Sequence, residues 1–257
     1  MTLAEAHHSP LEQFKVKCLA FCGDGGQLHA FSFTNSALFM LLSVLAVTLL
    51  MVYGMRSRSL VPGRLQSVAE LSYEFVANMV RDNVGGNGRE YFPFIFSLFM
   101  FILFCNMLGM IPYSFTPTSH IIITFALALV VFIGVTIIAI VRNGIHFFTH
   151  FMPDGVPMWL APLIVPIEVI SYLTRPVSLS LRLGANMLAG HTTLMVFAGF
   201  VGSMIALGGI LAVSGVLPLI MVTALTALEF LIAFLQAYVF AILSCLYLSE
   251  AVNMEHH

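Results

Sequence analysis

Charged and polar side chains recur at helical spacing inside one long apolar stretch of this sequence. The stretch runs from residue 159 to residue 207, and its polar positions are Glu168, Ser171, Arg175, Ser178, Arg182 and Asn186. On a helix that turns by about 100° per residue, these positions fall within an arc of roughly 80°. They therefore form one polar face on an otherwise apolar helix.

The two arginines of this face need partners. An arginine at the centre of a bilayer costs about 2.5–3.5 kcal/mol on insertion scales, and Glu168 lies one heptad before Arg175, so an ion pair that only holds helices together is one interpretation for these two. Arg182 has no acidic residue within two helical turns, so its counter-charge must come from elsewhere in the fold or from a partner subunit. Because a guanidinium stays protonated at physiological pH, Arg182 is expected to act as a fixed charge and not as a proton carrier.

Proton transfer needs groups that titrate, and His191 and Glu229 are the two candidates in the apolar stretches. On an unbroken helix His191 lies about 180° from Arg182 and therefore faces a different environment. Glu229 shares one side of the last apolar stretch with Gln236 and Tyr247, among Leu, Phe and Ala residues. A carboxyl group in such surroundings suits a residue that takes up and releases protons, whereas Gln236 is equally consistent with an interhelical hydrogen bond.

Other clusters of potential ligands give weaker signals. His146 and His150 are four residues apart, which suits a metal ion, but an interfacial aromatic helix is the favoured interpretation of that segment. Cys18 and Cys22 are consistent with a disulfide or a metal pair, and no further ligands accompany them. The other two cysteines lie in apolar runs and are expected to pack as small hydrophobic residues. We predict no metal and no cofactor.

Composition identifies the solvent of this chain as lipid. Hydrophobic residues make up 60% and charged residues 9% of the 257 residues, and the mean hydropathy is +1.00. Soluble domains usually have about 45–50% apolar residues. The net charge of −2 provides no basic surface, so nucleic-acid binding is excluded. The sequence also contains no Gly-rich phosphate loop and no nucleophile constellation, so we do not expect an enzyme in its own right.

We predict an all-α integral membrane protein that forms a single membrane domain over 1–257, with about five membrane-embedded helices and one interfacial helix. The segments are an N-terminal region 1–35 on the outer or periplasmic side, spans 36–55, 91–111 and 119–141, an amphipathic interfacial helix 64–84, and long helices 159–207 and 218–250. Thirty helical residues measure about 45 Å against a hydrocarbon core of ~30 Å. The last helix must therefore tilt strongly, and the one before it must tilt or break.

Charge asymmetry predicts the orientation. If the first three spans alternate, six arginines fall on one side of the membrane: Arg56, Arg58, Arg64, Arg81, Arg89 and Arg142. The positive-inside rule places that side in the cytoplasm or the matrix. The N-terminus then faces outward and the C-terminus faces inward.

Two motifs resemble subunit a of the F-type ATP synthase. They are Arg175-Pro-Val-Ser-Leu-Ser-Leu-Arg182-Leu-Gly-Ala-Asn186-Met-Leu-Ala-Gly190-His191 and Ile111-Pro-Tyr-Ser-Phe-Thr-Pro-Thr-Ser-His120. The resemblance extends from about Pro10 to the C-terminus, and the arginine motif is highly specific.

This resemblance implies that Arg182 is the essential arginine that faces the ring of c subunits, with Gln236 near it. It implies that Asn186, His191 and Glu229 line aqueous half-channels and that the two long helices form a tilted hairpin along the ring. We assign the other polar residues of the seam to the same proton path: Glu168, Arg175 and Ser178. Some family members exchange His and Glu between positions 191 and 229, so which of the two dominates proton transfer stays open.

The implied partners are the c-subunit ring, peripheral-stalk (b-type) subunits, the other ATP synthase subunits and the lipid bilayer. The implied location is a bacterial inner (plasma) membrane, with the mitochondrial inner membrane as the alternative. A rival hypothesis is a self-contained secondary transporter of ions or solutes, although the paired inverted repeats of such folds are not seen in the sequence. A membrane scaffold with purely structural ion pairs is a third hypothesis.

Overall fold

A computed structural model describes residues 16–20, 32–56, 62–111, 114–144, 160–207 and 215–252. Its helices are α1 (Asn35–Gly54), α2 (Arg64–Val84), α3 (Phe92–Gly109), α4 (Ile121–Asn143), α5 (Ala161–Leu207) and α6 (Val216–Val252). Short 3-10 turns, Gly86–Glu90 and Pro117–Ser119, precede α3 and α4. The proposed ligands Cys22, His146 and His150 lie outside the described residues.

Five of the helices in the described ranges are long and apolar enough to cross a membrane, namely α1, α3, α4, α5 and α6. This confirms the prediction of an all-α integral membrane protein. The other helix, α2, covers the segment 64–84 for which an interfacial helix is predicted. It buries Ala69, Val76, Met79, Val80 and Val84 against the other helices, and its charged residues are exposed.

The distribution of residues around α1 is that of a lipid-exposed helix. Its buried positions include Ser43 and Gly54, whereas Leu41 and Val52 are more than half exposed. Because lipid tails are as apolar as leucine, helices in membranes associate through close packing of small residues instead of through burial of large ones. A Cβ on Gly54 would lie 3.0 Å from the Cβ of Ala69, so the glycine permits the close approach of α1 and α2.

Small residues also form the seam along which α6 packs. Ala233, Ala237 and Ala241 recur every four residues on its buried face and are completely buried. This face contacts α2, α3 and α4, and α5 packs against α4 and α6. The last helix is thus surrounded by four others, which fixes the position of any polar residue on it.

The long stretch around the arginines is one unbroken helix in the structure. Helix α5 has 47 residues, which corresponds to about 70 Å and is more than twice the thickness of the hydrocarbon core. Pro166 and Pro176 lie inside it without interrupting it. Prolines are tolerated in membrane helices because neighbouring groups satisfy the freed carbonyls.

A short antiparallel β-pair, which was not predicted from the sequence, joins Cys18–Ala20 to Phe33–Thr34 at the N-terminal end. The Asn35 side chain accepts a hydrogen bond of 3.2 Å from the backbone N–H of Lys17. The Thr34 hydroxyl caps α1 by accepting a bond from the N–H of Ala37 at 3.3 Å. Cys18 takes part in a disulfide.

Candidate functional site

His191 and Glu229 meet where α5 and α6 pack together. The His191 Nδ1 and Glu229 Oε2 atoms are 3.6 Å apart, and only 8% of Glu229 is exposed. On its other side the His191 ring is held by the Thr116 hydroxyl, which lies 2.9 Å from Nε2. Thr116 is itself buried and comes from the connection between α3 and α4. We call these three residues the outer cluster.

Two glycines make room for the outer cluster. A Cβ on Gly190 would lie 2.7 Å from Oε1 of Glu229, closer than such contacts occur in proteins. A Cβ on Gly109 would lie 2.9 Å from the Cβ of Thr116. The absence of side chains at these two positions therefore allows the carboxyl and hydroxyl groups to sit directly against the backbone of α5 and α3.

A second set of buried polar groups lies behind the cluster. The Asn106 amide donates to the backbone carbonyl of Ala233 at 3.1 Å, and its oxygen accepts from the Thr118 hydroxyl at 2.7 Å. Asn106 is completely buried. These bonds tie α3 and the Pro117–Ser119 turn to α6 one turn after Glu229, and so they fix the height of the carboxylate in the bundle.

Arg175 lies at the other end of the α5–α6 contact. Its guanidinium pairs with the Glu250 carboxylate and stands over the rings of Tyr172 and Tyr247, with centroid distances of 5.3 and 5.0 Å. The Tyr172 hydroxyl is in turn 2.6 Å from the Thr136 hydroxyl of α4. We call Tyr172, Arg175, Tyr247 and Glu250 the inner cluster.

The suggested ion pair between Glu168 and Arg175 is wrong, because Arg175 pairs with Glu250 instead. Positions seven apart on one helix are separated by about 10 Å along its axis, whereas antiparallel packing brings the last turns of α6 alongside Arg175. Glu168 forms no ion pair with any residue in the described ranges and remains half-buried.

Arg182 lies on the outer surface of α5 between the two clusters. It is exposed, as are Ser178 and Asn186, while Leu183 and Met187 point into the bundle. Within the described part of the chain, Arg182 has no salt bridge. The polar seam therefore divides, because Arg175 turns inward to an acid of α6 whereas Arg182 and Asn186 face outward.

Gln236 is half-buried on α6, seven residues after Glu229 and about 10 Å along the helix from it. By the helix bounds, Arg182 lies 25 residues before the end of α5 and Gln236 lies 20 residues after the start of α6, so their positions differ by more than one helical turn. In the pairs that meet, His191 with Glu229 and Arg175 with Glu250, the corresponding counts differ by three and two residues. The implied proximity of Gln236 to Arg182 stays a prediction.

Four residues in or behind the two clusters were not singled out from the sequence: Thr116, Asn106, Tyr172 and Glu250. Antiparallel pairing of the predicted helices 159–207 and 218–250 could have found Glu250, since it lies 32 residues after the start of the second helix and Arg175 lies 32 residues before the end of the first. Thr116 belongs to the Ile111–His120 motif, which contains several hydroxyl side chains. Only the packing shows that the Thr116 hydroxyl is the one that reaches His191.

Fold and site together define a multi-pass helical membrane protein with two clusters of ionisable side chains along the α5–α6 contact and an exposed arginine between them. The sequence model of the ATP synthase A chain family matches residues 37–249. ATP synthase subunit a of Parvibaculum lavamentivorans is 58% identical over 96% of this chain and 94% of its own length. ATP synthase subunit a of Agrobacterium fabrum is 55% identical over 97% of this chain and 99% of its own length. That of Pelagibacter ubique is 54% identical over 96% of this chain and 99% of its own length.

This chain therefore belongs to the ATP synthase subunit a family. The resemblance found in the sequence is confirmed. Membership makes the chain a membrane subunit concerned with proton transport in ATP synthesis, and the relatives named here are bacterial.

Proposed function

We propose that this chain is the proton-conducting stator subunit of a rotary ATP synthase in the inner (plasma) membrane of a bacterium. It forms two aqueous half-channels and presents Arg182 to the carboxylates of a c-subunit ring. Its further partners are the peripheral-stalk (b-type) subunits and the rest of the complex. The bacterial location follows the three relatives named above, which come from bacteria.

The position of Arg182 carries this proposal. It lies seven residues after Arg175 and nine before His191, so it is separated along α5 by about 10 Å from Arg175 of the inner cluster and about 13 Å from His191 of the outer cluster. It is exposed on a membrane-spanning helix, and no acid of the described chain pairs with it. Exposing a guanidinium to lipid costs free energy, so we expect a partner protein to cover Arg182 and to supply a negative charge.

The proposed mechanism assigns a different task to each group. Protons pass through the outer cluster, where Glu229 and His191 can exchange a proton, and load a ring carboxylate. The ring turns, and the carboxylate releases its proton beside Arg182, whose fixed charge favours the ionised form. The proton then leaves past the inner cluster. Arg182 also repels any proton that would cross directly between the half-channels.

The proposed orientation places the outer cluster on the periplasmic side. Arginine counts place the loops after α1 and α4 in the cytoplasm. The Cys18 disulfide supports an outward N-terminus, because disulfides persist in the oxidising periplasm and are rare in the cytosol. α3 then runs outward, so Thr116 lies on the outer side, and Glu250 near the end of α6 lies on the inner side.

The transmembrane potential can drive ATP synthesis only if several protons cross the membrane for each ATP. Each elementary charge that crosses 100 mV releases about 2.3 kcal/mol. Several crossings are therefore needed for each ATP, which a ring of carboxylates passing one Arg182 provides.

Arg182→Ala tests this proposal. We expect the variant complex to assemble and to lose ATP-driven proton pumping, measured by quenching of a pH-sensitive dye in inverted membrane vesicles. The control is Arg142→Ala, which removes an exposed pair with Glu90 of 3.1 Å. Such surface pairs contribute about 0–1 kcal/mol, so this variant should pump at the wild-type rate.

The outcome also separates the rival hypotheses. A scaffold would retain coupled pumping without Arg182. A self-contained transporter would conduct protons or solute without the other ATP synthase subunits, so transport by the purified chain in liposomes would contradict the stator function.

A further inference from the structure

The Thr116 hydroxyl contacts two groups at once in the outer cluster. It donates to the backbone carbonyl of Gly109 at 3.2 Å and lies 2.9 Å from His191 Nε2. A hydroxyl has one proton, and a carbonyl oxygen can only accept. Both contacts can be hydrogen bonds at the same time only if Thr116 gives its proton to Gly109 and accepts one from His191.

We propose that Thr116 holds neutral His191 in the tautomer protonated on Nε2, so that Nδ1 is the nitrogen that exchanges a proton with Glu229. This inference deepens the proposed function and rests on the proposed relay between His191 and Glu229. Thr116 acts through His191 and is thus a positioning residue. In general, the hydrogen bond at one ring nitrogen sets which state the other nitrogen is in.

The surroundings of Thr116 hold its hydroxyl in place. Its backbone carbonyl accepts from the Ser119 hydroxyl at 2.7 Å and from the Ser119 N–H at 3.1 Å. The lack of a side chain on Gly109 lets the Thr116 side chain rest against the α3 backbone. Thr116 is only 3% exposed, so bulk water does not compete for its bonds.

In this tautomer, His191 and Glu229 exchange protons only through Nδ1. A protonated Glu229 gives its proton from Oε2 to Nδ1, which yields a carboxylate and an imidazolium. The imidazolium returns a proton only from Nδ1, because the Nε2 proton points to Thr116, whose own proton is directed to a carbonyl that cannot relay it. Nδ1 and Oε2 are 3.6 Å apart, so each transfer requires an approach of about half an ångström or a bridging water.

Thr116→Val removes the hydroxyl and keeps the side-chain shape, whereas Thr116→Ser keeps the hydroxyl. The matched control is Thr124→Val, because Thr124 is also completely buried and its hydroxyl donates to Ile121 O at 3.0 Å within its own helix. We expect Thr116→Val to lower proton flux through the complex about tenfold, the factor for one hydrogen bond. Thr116→Ser and Thr124→Val should stay within twofold of the wild type.

The direct test is solid-state NMR of the intact complex labelled with ¹⁵N-histidine in this subunit. The His191 signals are those lost in His191→Gln. We expect the neutral ring to carry its proton on Nε2 in the wild type, in Thr116→Ser and in Thr124→Val, and to populate the other tautomer in Thr116→Val. A wild-type ring protonated on Nδ1 would overturn the proposal, and this spectrum decides even if Thr116→Val does not assemble.

Two outcomes separate this inference from the proposed function. If His191→Gln and Glu229→Gln leave proton flux unchanged while the spectra show the expected tautomers, the relay fails and the tautomer assignment stands. If those variants block flux but Thr116→Val alters neither the spectrum nor the rate, the role of Thr116 is refuted and the relay stands.

Discussion

Gly190→Ala gives the sharpest structural perturbation of the outer cluster. The added methyl group would lie 2.7 Å from Oε1, 3.2 Å from Cδ and 3.4 Å from Cγ of Glu229. Contacts to the first atom must lengthen by several tenths of an ångström, so the carboxyl group has to move. It already stands 3.6 Å from His191 Nδ1, and a displacement of about 1 Å at a reacting group can lower a rate by ~100-fold.

We therefore expect Gly190→Ala to reduce passive proton flux by one to two orders of magnitude in vesicles stripped of the catalytic sector. The overpacking itself should destabilise the chain by about 1–3 kcal/mol. The matched control is Gly199→Ala on the same helix, where a Cβ would meet nothing within 4 Å. That variant should assemble and conduct like the wild type.

A second-site change tests the cause of the defect. Glu229→Asp withdraws the carboxyl group by one methylene from the new methyl group. Combined with Gly190→Ala, it should restore part of the flux, because interacting neighbours are not additive. Wild-type flux in Gly190→Ala alone would refute the reasoning, since it would mean that the position of the Glu229 carboxyl group does not matter.

Three further predictions concern the relay, the inner cluster and the topology. Glu229→Gln should slow proton flux severely without preventing assembly, as measured by dye quenching and by subunit composition; unchanged flux would contradict its role. Arg175→Gln removes an ion pair and two cation–π contacts, each of the latter worth about 0.5–1 kcal/mol. It should lower the thermal midpoint of the complex, and Arg175→Lys should not restore it fully because an ammonium cannot stack as a guanidinium does. Asp82→Cys, on the exposed face of α2, should react with a membrane-impermeant maleimide only in inverted vesicles, and labelling of right-side-out vesicles would reverse the topology.

The sequence predicted the helices well because the membrane imposes simple constraints. Apolar runs longer than the bilayer core must be helical, and charges mark their ends. The length of the stretch 159–207 left open whether it tilts or breaks, and α5 is unbroken although Pro166 and Pro176 lie inside it. Whether α5 breaks depends on its contacts with α4 and α6, and these contacts cannot be predicted from the residues of α5 alone.

The site was only partly predictable. Helical periodicity identified the polar seam, and apolar surroundings identified His191 and Glu229, but periodicity does not tell which polar residues point into the bundle. Arg175 turns to Glu250 and Arg182 does not, although both lie on the same side of α5. That difference arises from tertiary contacts, because α6 covers one part of the seam and leaves the other open. Thr116 was missed because its contact with His191 joins residues 75 positions apart.

The proposed stator function depends on a counter-charge for Arg182 that another polypeptide supplies. The most direct measurement is the distance from its guanidinium to the nearest carboxylate in an electron cryo-microscopy structure of the intact complex in a lipid membrane. We expect this carboxylate to belong to a ring subunit and to lie within ion-pair distance in at least one rotor position. An acid of this same chain as the partner, or a guanidinium directed into bulk water, would contradict it.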